Sequence, residues 1–290
     1  MNARETSGTQ FQLMGPPAFP QSIFIESDRI EACMEYAQKE GLTGIAISPL
    51  GGFRLPNLLF LKSFPNIEKL TILHSEMIDI SSVPTLKHLR YLQIEGKPKQ
   101  PIDLRDFPLL HEFRADWWPK LQLGDTLPTL QVLCLGHYAP RTGALTALPR
   151  VPELKDLELV HSSKLTLSGI DRFPSLRRLS VAYCPQLTKL SPLATFRDSD
   201  LEILEFKNCK NLTDHDEVRA ILSLKRLAFN SCGEIPSLRF LNDLPLLESF
   251  SFVDTTIVDG DLTPCLRLKF VGFSDKRHYS HRNADIKAGG

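Results

Sequence analysis

The pattern L-x-x-L-x-L, with Phe or Ile in place of some leucines, recurs along the whole 290-residue chain. Consecutive patterns start 20 to 25 residues apart. They start at Leu42, Ile67, Leu89, Leu110, Leu130, Leu154, Leu176, Leu201, Leu224, Leu247 and Leu268. A unit of this length cannot bury its own apolar face. The units must therefore stack on one another and share one continuous core.

Each pattern is typical of a strand, because its apolar residues alternate with residues that point the other way. Numbering from the first Leu, positions four and six point inward, as in Leu204 and Phe206, whereas Glu205 points outward. Six patterns have a proline two residues before them, where it ends the return segment. These prolines are Pro65, Pro108, Pro128, Pro152, Pro174 and Pro245.

The return segments are short, with only about ten residues between the end of a strand and the next proline. This length favours 3₁₀ turns and irregular backbone over long helices. A longer step leaves room for a helix at residues 214–223.

Two segments, LEILEFKNCKNL at 201–212 and LRRLSVAYCPQL at 176–187, fit the consensus L-x-x-L-x-L-x-x-N/C-x-L. Over residues 42–275 the chain resembles the leucine-rich repeat superfamily. Short stretches such as IDISSVP at 78–84 are most similar to its 22-residue class, found in a phosphatase-regulating protein and in bacterial internalins. The segment VGFSDKRHYSHR at 271–282 also resembles the ends of bacterial leucine-rich repeat proteins.

The resemblance implies an α/β fold, a right-handed leucine-rich repeat solenoid with a parallel β-sheet on its concave face and short 3₁₀ or irregular convex segments. It also implies that the concave face binds another macromolecule, usually a protein. A bacterial origin is the further expectation.

Four regions follow along the chain. We expect a disordered tail at 1–18 and an N-terminal cap at 19–41, where a strand at 23–26 precedes a helix. That helix is expected to open at Asp28 with Glu31 as a capping box and to close at Gly41. Residues 42–275 hold about eleven repeats, and 276–290 form a polar tail whose Tyr279 packs on the last repeat.

Composition excludes several classes of function. Lys plus Arg and Asp plus Glu both number 34, so no net field attracts nucleic acid or an anionic membrane. No apolar run approaches the roughly 20 residues that span a bilayer, and no signal peptide is evident. Six cysteines without a C-x-x-C pair indicate reduced thiols. The chain is therefore predicted to be cytoplasmic, and we also expect it to be monomeric.

Catalytic and cofactor motifs are missing from the sequence. It contains no phosphate loop, dinucleotide fingerprint, zinc-protease motif or nucleophile elbow. His278 and His281 have a weak metal spacing without a third ligand. We expect no cofactor, no metal and no enzymatic activity.

Two columns of residues outside the leucine positions are candidates for a role. Position nine is predicted to turn inward as a structural ladder of Cys184, Cys209 and Cys232. Position eight and the outward strand positions are predicted to bind the partner, because exposed aromatic and Arg side chains are enriched in interface hot spots. The candidates are Trp117, His137, His161, Tyr183, Arg114, Asp116, Asp156, Glu158 and Arg178.

Packing is the competing explanation for the two tryptophans. For Trp117 the packing explanation is as strong as a role in binding, and for Trp118 it is stronger. Both residues fall in the irregular fourth repeat, where their rings can fill space. Taken together, the sequence predicts a non-catalytic scaffold that binds another protein. The alternatives are a bacterial effector or immunity-type protein with the same binding chemistry, and an enzyme with an unrecognised site.

Overall fold

Parallel strands joined by short return segments make up most of the computed structural model, which describes residues 11–15, 22–75 and 78–287. Contacts divide the chain into two compact units, Met1–Leu130 and Gln131–Gly290. None of the helices in the described ranges is long and apolar enough to cross a membrane.

The first unit is a parallel sheet with one antiparallel strand. Its strands are β1 (Leu13–Met14), β2 (Ser22–Phe24), β3 (Gly44–Ile47), β4 (Lys69–Ile72), β5 (Tyr91–Ile94), β6 (Ile102–Asp103), β7 (Glu112–Asp116) and β8 (Leu121–Gln122). Strands β2, β3, β4, β5 and β7 pair in this order, all parallel. Strand β1 pairs antiparallel with β2, and β6 and β8 form a separate parallel pair. Helix α1 (Ile30–Lys39) connects β2 to β3.

The second unit continues the same construction. Its strands are β9 (Val132–Gly136), β10 (Asp156–Val160), β11 (Arg178–Ala182), β12 (Ile203–Lys207), β13 (Arg226–Asn230), β14 (Glu234–Ile235), β15 (Ser249–Ser251), β16 (Thr256–Ile257) and β17 (Phe270–Gly272). The seven long strands pair in chain order, all parallel. Strands β14 and β16 form a separate pair, and helix α2 (Asn283–Lys287) follows the last strand.

Every L-x-x-L-x-L pattern contributes one parallel strand that starts two residues into it. Positions four and six are buried in the core, as Leu204 and Phe206 show, whereas Glu205 between them reaches solvent. The predicted repeat architecture is confirmed. We call the side of the sheet that carries positions three, five and seven the open face.

Most return segments contain a 3₁₀ turn, as predicted. These turns span Leu59–Ser63, Val83–Thr85 and Leu104–Asp106 in the first unit, and Leu145–Ala147, Ile170–Arg172, Ser191–Phe196, His215–Ala220, Arg239–Asp243 and Thr263–Cys265 in the second. The helix expected at 214–223 is therefore wrong, because that segment is the six-residue 3₁₀ turn. His215 and Val218 are its buried residues, and three-residue spacing matches the 3₁₀ period rather than the α period.

Most return segments pass into their strands through a β-turn. Leu110 donates its N–H to the carbonyl of Phe107 (3.1 Å), and Leu176 to that of Phe173 (3.2 Å). Proline is the second residue of these turns, where its fixed φ is favoured. The prolines therefore start the strands, as the sequence predicts.

The N-terminal region differs from the prediction in three respects. Helix α1 begins at Ile30 with Arg29 before it and no side-chain cap, so the expected capping box at Asp28 is wrong. Its strand is Ser22–Phe24 rather than 23–26. Of the tail expected to be disordered, residues 11–15 are ordered by β1, whose Leu13 lies opposite Ile23. Residues 1–10 and 16–18 lie outside the described residues.

The predicted helix end and C-terminal contact are present. Gly41 has φ +67° and donates to Gln38 (3.2 Å), and Leu42 donates to Ala37 (2.7 Å), the bonds of a glycine-terminated helix. At the other end, the Tyr279 hydroxyl accepts the N–H of Ile257 (3.1 Å), which ties the residues after β17 to the last repeats.

Position nine forms a buried polar column in the second unit. Ser162, Cys184, Cys209, Cys232 and Thr255 are at most 2% exposed. The Cys184 thiol contacts the carbonyl of Ala182 (3.3 Å), and the Cys232 thiol that of Asn230 (3.2 Å). Two causes raise the pKa of the Cys184 and Cys232 thiols. The larger is a hydrogen bond with Cys209, and the smaller is burial. These cysteines are unpaired thiols, and we propose that the column stabilises the strand ends.

The central cysteine tests this role. Cys209→Leu should lower the free energy of unfolding by about 1–3 kcal/mol, because the extra bulk overpacks a buried site. Cys209→Ser should cost less, because serine already occupies this position at Ser162 and its hydroxyl can reach the same carbonyls. Urea unfolding measures both. Rapid reaction of all three thiols with a labelling reagent in the native protein would contradict their placement.

Two glycines with positive φ test how much stability depends on the close backbone approach between neighbouring repeats. A Cβ at Gly143 would lie 1.8 Å from the carbonyl oxygen of Lys164, whereas a Cβ at Gly41 meets nothing within 4 Å. Gly41→Ala should cost about 1 kcal/mol for the left-handed backbone alone. Gly143→Ala should cost about 2 kcal/mol or more, because the Lys164 backbone must also move. Equal losses in urea unfolding would show that the repeats tolerate this displacement.

Candidate functional site

The residue after each of several strands adopts a left-handed backbone conformation. Position-eight residues with φ between 54° and 62° are His74, His137, His161, Tyr183, Asn208, Ser231 and Asp254. In the second unit four of these residues donate their N–H groups to the next strand, as from His137 to Val160 (2.7 Å) and from Tyr183 to Lys207 (2.8 Å). The turn therefore adds one bond to the ladder and directs position nine into the core.

Three of these residues form a row of rings, which we call the ring stack: His137, His161 and Tyr183. The centroids of His137 and His161 are 5.4 Å apart with planes 19° from parallel, and those of His161 and Tyr183 are 4.6 Å apart at 20°. These separations follow the strand spacing of about 4.8 Å. All three rings are exposed, and Lys207 Nζ lies 6.0 Å from the Tyr183 ring centre.

Charged side chains on the first half of the same strands form an ionic strip of Asp156, Arg178 and Glu205. The Arg178 guanidinium donates to Asp156 Oδ1 (2.9 Å) on β10 and to Glu205 Oε2 (2.7 Å) on β12. Each of the three side chains is about 30% exposed. Single surface ion pairs contribute little to stability, but this guanidinium orients carboxylates on both neighbouring strands.

The first unit contains three further predicted binding residues, Arg114, Asp116 and Trp117. Arg114 and Asp116 lie on β7, where Arg114 Nε donates to Glu112 Oε1 (2.5 Å). Trp117 follows β7 and is half-buried, but it lacks the positive φ of the other position-eight residues. Trp118 is 2% exposed and donates to the carbonyl of Gln100 (3.3 Å), so it fills the interior.

The structure brings only some of the predicted residues into contact. The three rings touch one another, and Arg178 touches Asp156, while Glu158 lies on β10 opposite Cys134 and Ser180. The sequence analysis missed Glu205, although its outward strand position could have identified it.

Two further histidine features were not resolved by sequence. His215 is 1% exposed, its Nε2 lies 2.7 Å from the carbonyl oxygen of Cys232, and burial lowers its pKa. His278 Nε2 lies 2.9 Å from the carbonyl oxygen of Ile257, so the H-x-x-H spacing serves a packing contact there. Within the described part of the chain, no three His, Cys, Asp or Glu side chains gather as a metal site would require.

Repeated strand, left-handed turn and 3₁₀ return are the construction of a leucine-rich repeat fold. No family model matches the chain, and no curated protein matches its sequence. Among solved structures it is similar to an internalin of Listeria monocytogenes, with 16% identity, a TM-score of 0.45, and coverage of 79% of this chain and 80% of that one. It is also similar to a leucine-rich repeat protein of Leptospira interrogans, with 16% identity, a TM-score of 0.43, and coverage of 83% and 74%.

The left-handed turn allows the ring of Tyr183 to be removed without damage to the fold. Tyr183→Asn should keep the free energy of unfolding within about 1 kcal/mol of the parent, because Asn tolerates positive φ better and offsets the lost stacking. Tyr183→Val should be clearly less stable, because a β-branched residue resists this conformation. Urea unfolding of both variants is the measurement. Equal stability of the two would argue against a strained turn.

Proposed function

We propose that this chain is a non-catalytic scaffold that binds another protein through the open face of β9–β12. The observation that carries the proposal is the ring stack. His161 and Tyr183 are large, exposed and held in a backbone conformation that Gly or Asn would adopt at lower cost. Residues that cost stability and bury little surface are typical of a binding role.

Stacking orders the rings before any partner arrives. The side-chain entropy lost on binding is therefore reduced, which favours affinity. Tyr is also among the residue types that dominate interface energies. A partner that covers the stack would desolvate three rings at once, so the stack is suited to be the centre of an interface.

The surroundings of the stack fit this role. Gly136, Val160 and Ala182 lie in register at position seven, directly before the rings, and make a shelf of small apolar groups. The ionic strip begins about 15 Å away along the same strands. An apolar centre with charged groups at its margin is the usual anatomy of a protein interface.

Effector and immunity-type proteins would use the same surface, so both readings fall within this proposal. The cytoplasmic location, monomeric state and bacterial origin stay predictions of the sequence.

Paired baits identify the partner and test the ring stack together. The parent chain and Tyr183→Asn are used for affinity capture, and proteins retained only by the parent are then assayed with purified components. Tyr183→Asn should weaken binding by about 2 kcal/mol, or about 30-fold, because a central ring is lost. Leu222→Asn is the control, since Leu222 is 46% exposed and precedes β13 outside the stack.

Folding of each variant is checked by thermal melting before affinities are compared. Unchanged affinity in folded Tyr183→Asn would remove the ring stack from the interface. Arg178→Gln removes the guanidinium that links Asp156 to Glu205. This variant would then test whether the ionic strip is the binding surface instead.

A further inference from the structure

A depression of about 450 Å³ lies on the open face near the end of the second unit, away from the ring stack. We call it the trough and define it by Arg226, Asn230, Ser249, Ser251 and Phe270, with Ala228 in its floor. Its volume is within the range of ligand pockets.

Strand register explains the shape of the trough. Arg226, Ser249 and Phe270 lie side by side on β13, β15 and β17. Ala228 and Ser251 form the next row of the floor. The two walls are therefore two strand spacings apart, about 10 Å, with only small side chains between them. This width accepts one extended side chain.

Glu205, Glu248 and Lys269 also line the trough, and each of them is in an ion pair that does not involve Arg226. Glu205 accepts from Arg178 (2.7 Å), and Glu248 accepts from Lys269 (2.8 Å). Within residues 11–15, 22–75 and 78–287, the exposed Arg226 guanidinium has no carboxylate in ion-pair reach. A group that occupies the trough therefore meets a free bidentate donor for a carboxylate.

Asn230 supplies a second donor in a fixed orientation. Its Oδ1 accepts the backbone N–H of Val253 (2.8 Å) and the hydroxyl of Ser251 (2.8 Å). A backbone N–H can only donate, so the atom of the Asn230 side chain that faces Val253 must be the oxygen. The NH₂ group of Asn230 therefore points away from Val253. Within the described residues that NH₂ group has no acceptor, so it is free to bind a main-chain carbonyl of an occupant.

The wall opposite Arg226 is apolar. Phe270 is 53% exposed and forms this wall. Gly272, which lies beside Ser251 on the next strand, adds no side chain to the floor. Methylene groups of a side chain that reaches Arg226 would lie against this ring.

We propose that the trough binds an acidic side chain, in an extended segment of a partner protein. The carboxylate pairs with Arg226, the methylenes pack on Phe270, and a main-chain carbonyl accepts from Asn230. This deepens the proposed function, on which it rests, by naming the chemistry of the partner at a second place on the sheet.

Nuclear magnetic resonance titration of the full ¹⁵N-labelled chain tests the proposal with the acetylated and amidated tripeptides Leu-Glu-Leu and Leu-Gln-Leu. The glutamate peptide should shift the Asn230 side-chain amide and the Ser249 backbone amide, with affinity at least about 10-fold above the glutamine peptide. Arg226→Gln should reduce the glutamate peptide to the level of the glutamine peptide. Phe270→Ala should weaken both peptides.

Arg239→Gln is the matched control, because Arg239 is an exposed arginine of the same unit on a return segment. Equal affinity for the two peptides, or an Arg226→Gln variant that binds as the parent does, would overturn the proposal. A third peptide is Leu-Gln-Leu with a free C-terminal carboxylate. If it binds more tightly than the amidated Leu-Glu-Leu, the trough recognises a chain end and the proposal is overturned. Peptide binding to the trough is measured without any change in the ring stack, so failure here and failure of Tyr183→Asn to weaken partner binding are separate results.

Discussion

The left-handed residue at the end of a strand is the constraint on which the repeats depend. In the central repeats of the second unit its N–H bonds to the following strand, as from His161 to Ala182 (2.9 Å), so these repeats are tied to one another beyond the regular ladder. The same turn sends position nine inward. An L-residue resists this backbone conformation, and the bond together with burial of the next residue stabilises it. The ring that results on the outside is a by-product that a binding surface can use.

The inward half of the turn explains why small polar groups and thiols occupy position nine. Cys232 donates its backbone N–H to the Thr255 hydroxyl (2.9 Å), which in turn donates to the carbonyl of Phe229 (2.6 Å). Polar backbone groups at the strand ends are thus satisfied inside the core, where leaving them unpaired would be costly. At Cys184, Cys209 and Cys232 a larger side chain would overpack this space, and a fully apolar one would leave the carbonyls unpaired.

Repetition also creates both candidate binding features. Residues about 22 positions apart in the chain become neighbours at strand spacing, so rings at position eight stack and small residues at positions three and five merge into a floor. The ring stack needs aromatic groups in successive repeats, and the trough needs Ser249 between Arg226 and Phe270. In each case the feature belongs to a row across the sheet rather than to any one repeat.

The sequence by itself determined the strands, their starting points and the inward positions, because leucine spacing and the prolines before Leu110 and Leu176 are local signals. It could not determine the left-handed turns, the 3₁₀ form of His215–Ala220 or the pairing of β1 with β2, which depend on bonds between segments distant in the chain. It suggested the ring column but gave no means to separate Trp117 from Tyr183, which share a position and differ in backbone conformation. Only tertiary structure placed Arg178 between two carboxylates and left Arg226 without an ion pair among the described residues, because cross-strand register and side-chain reach decide which charges meet.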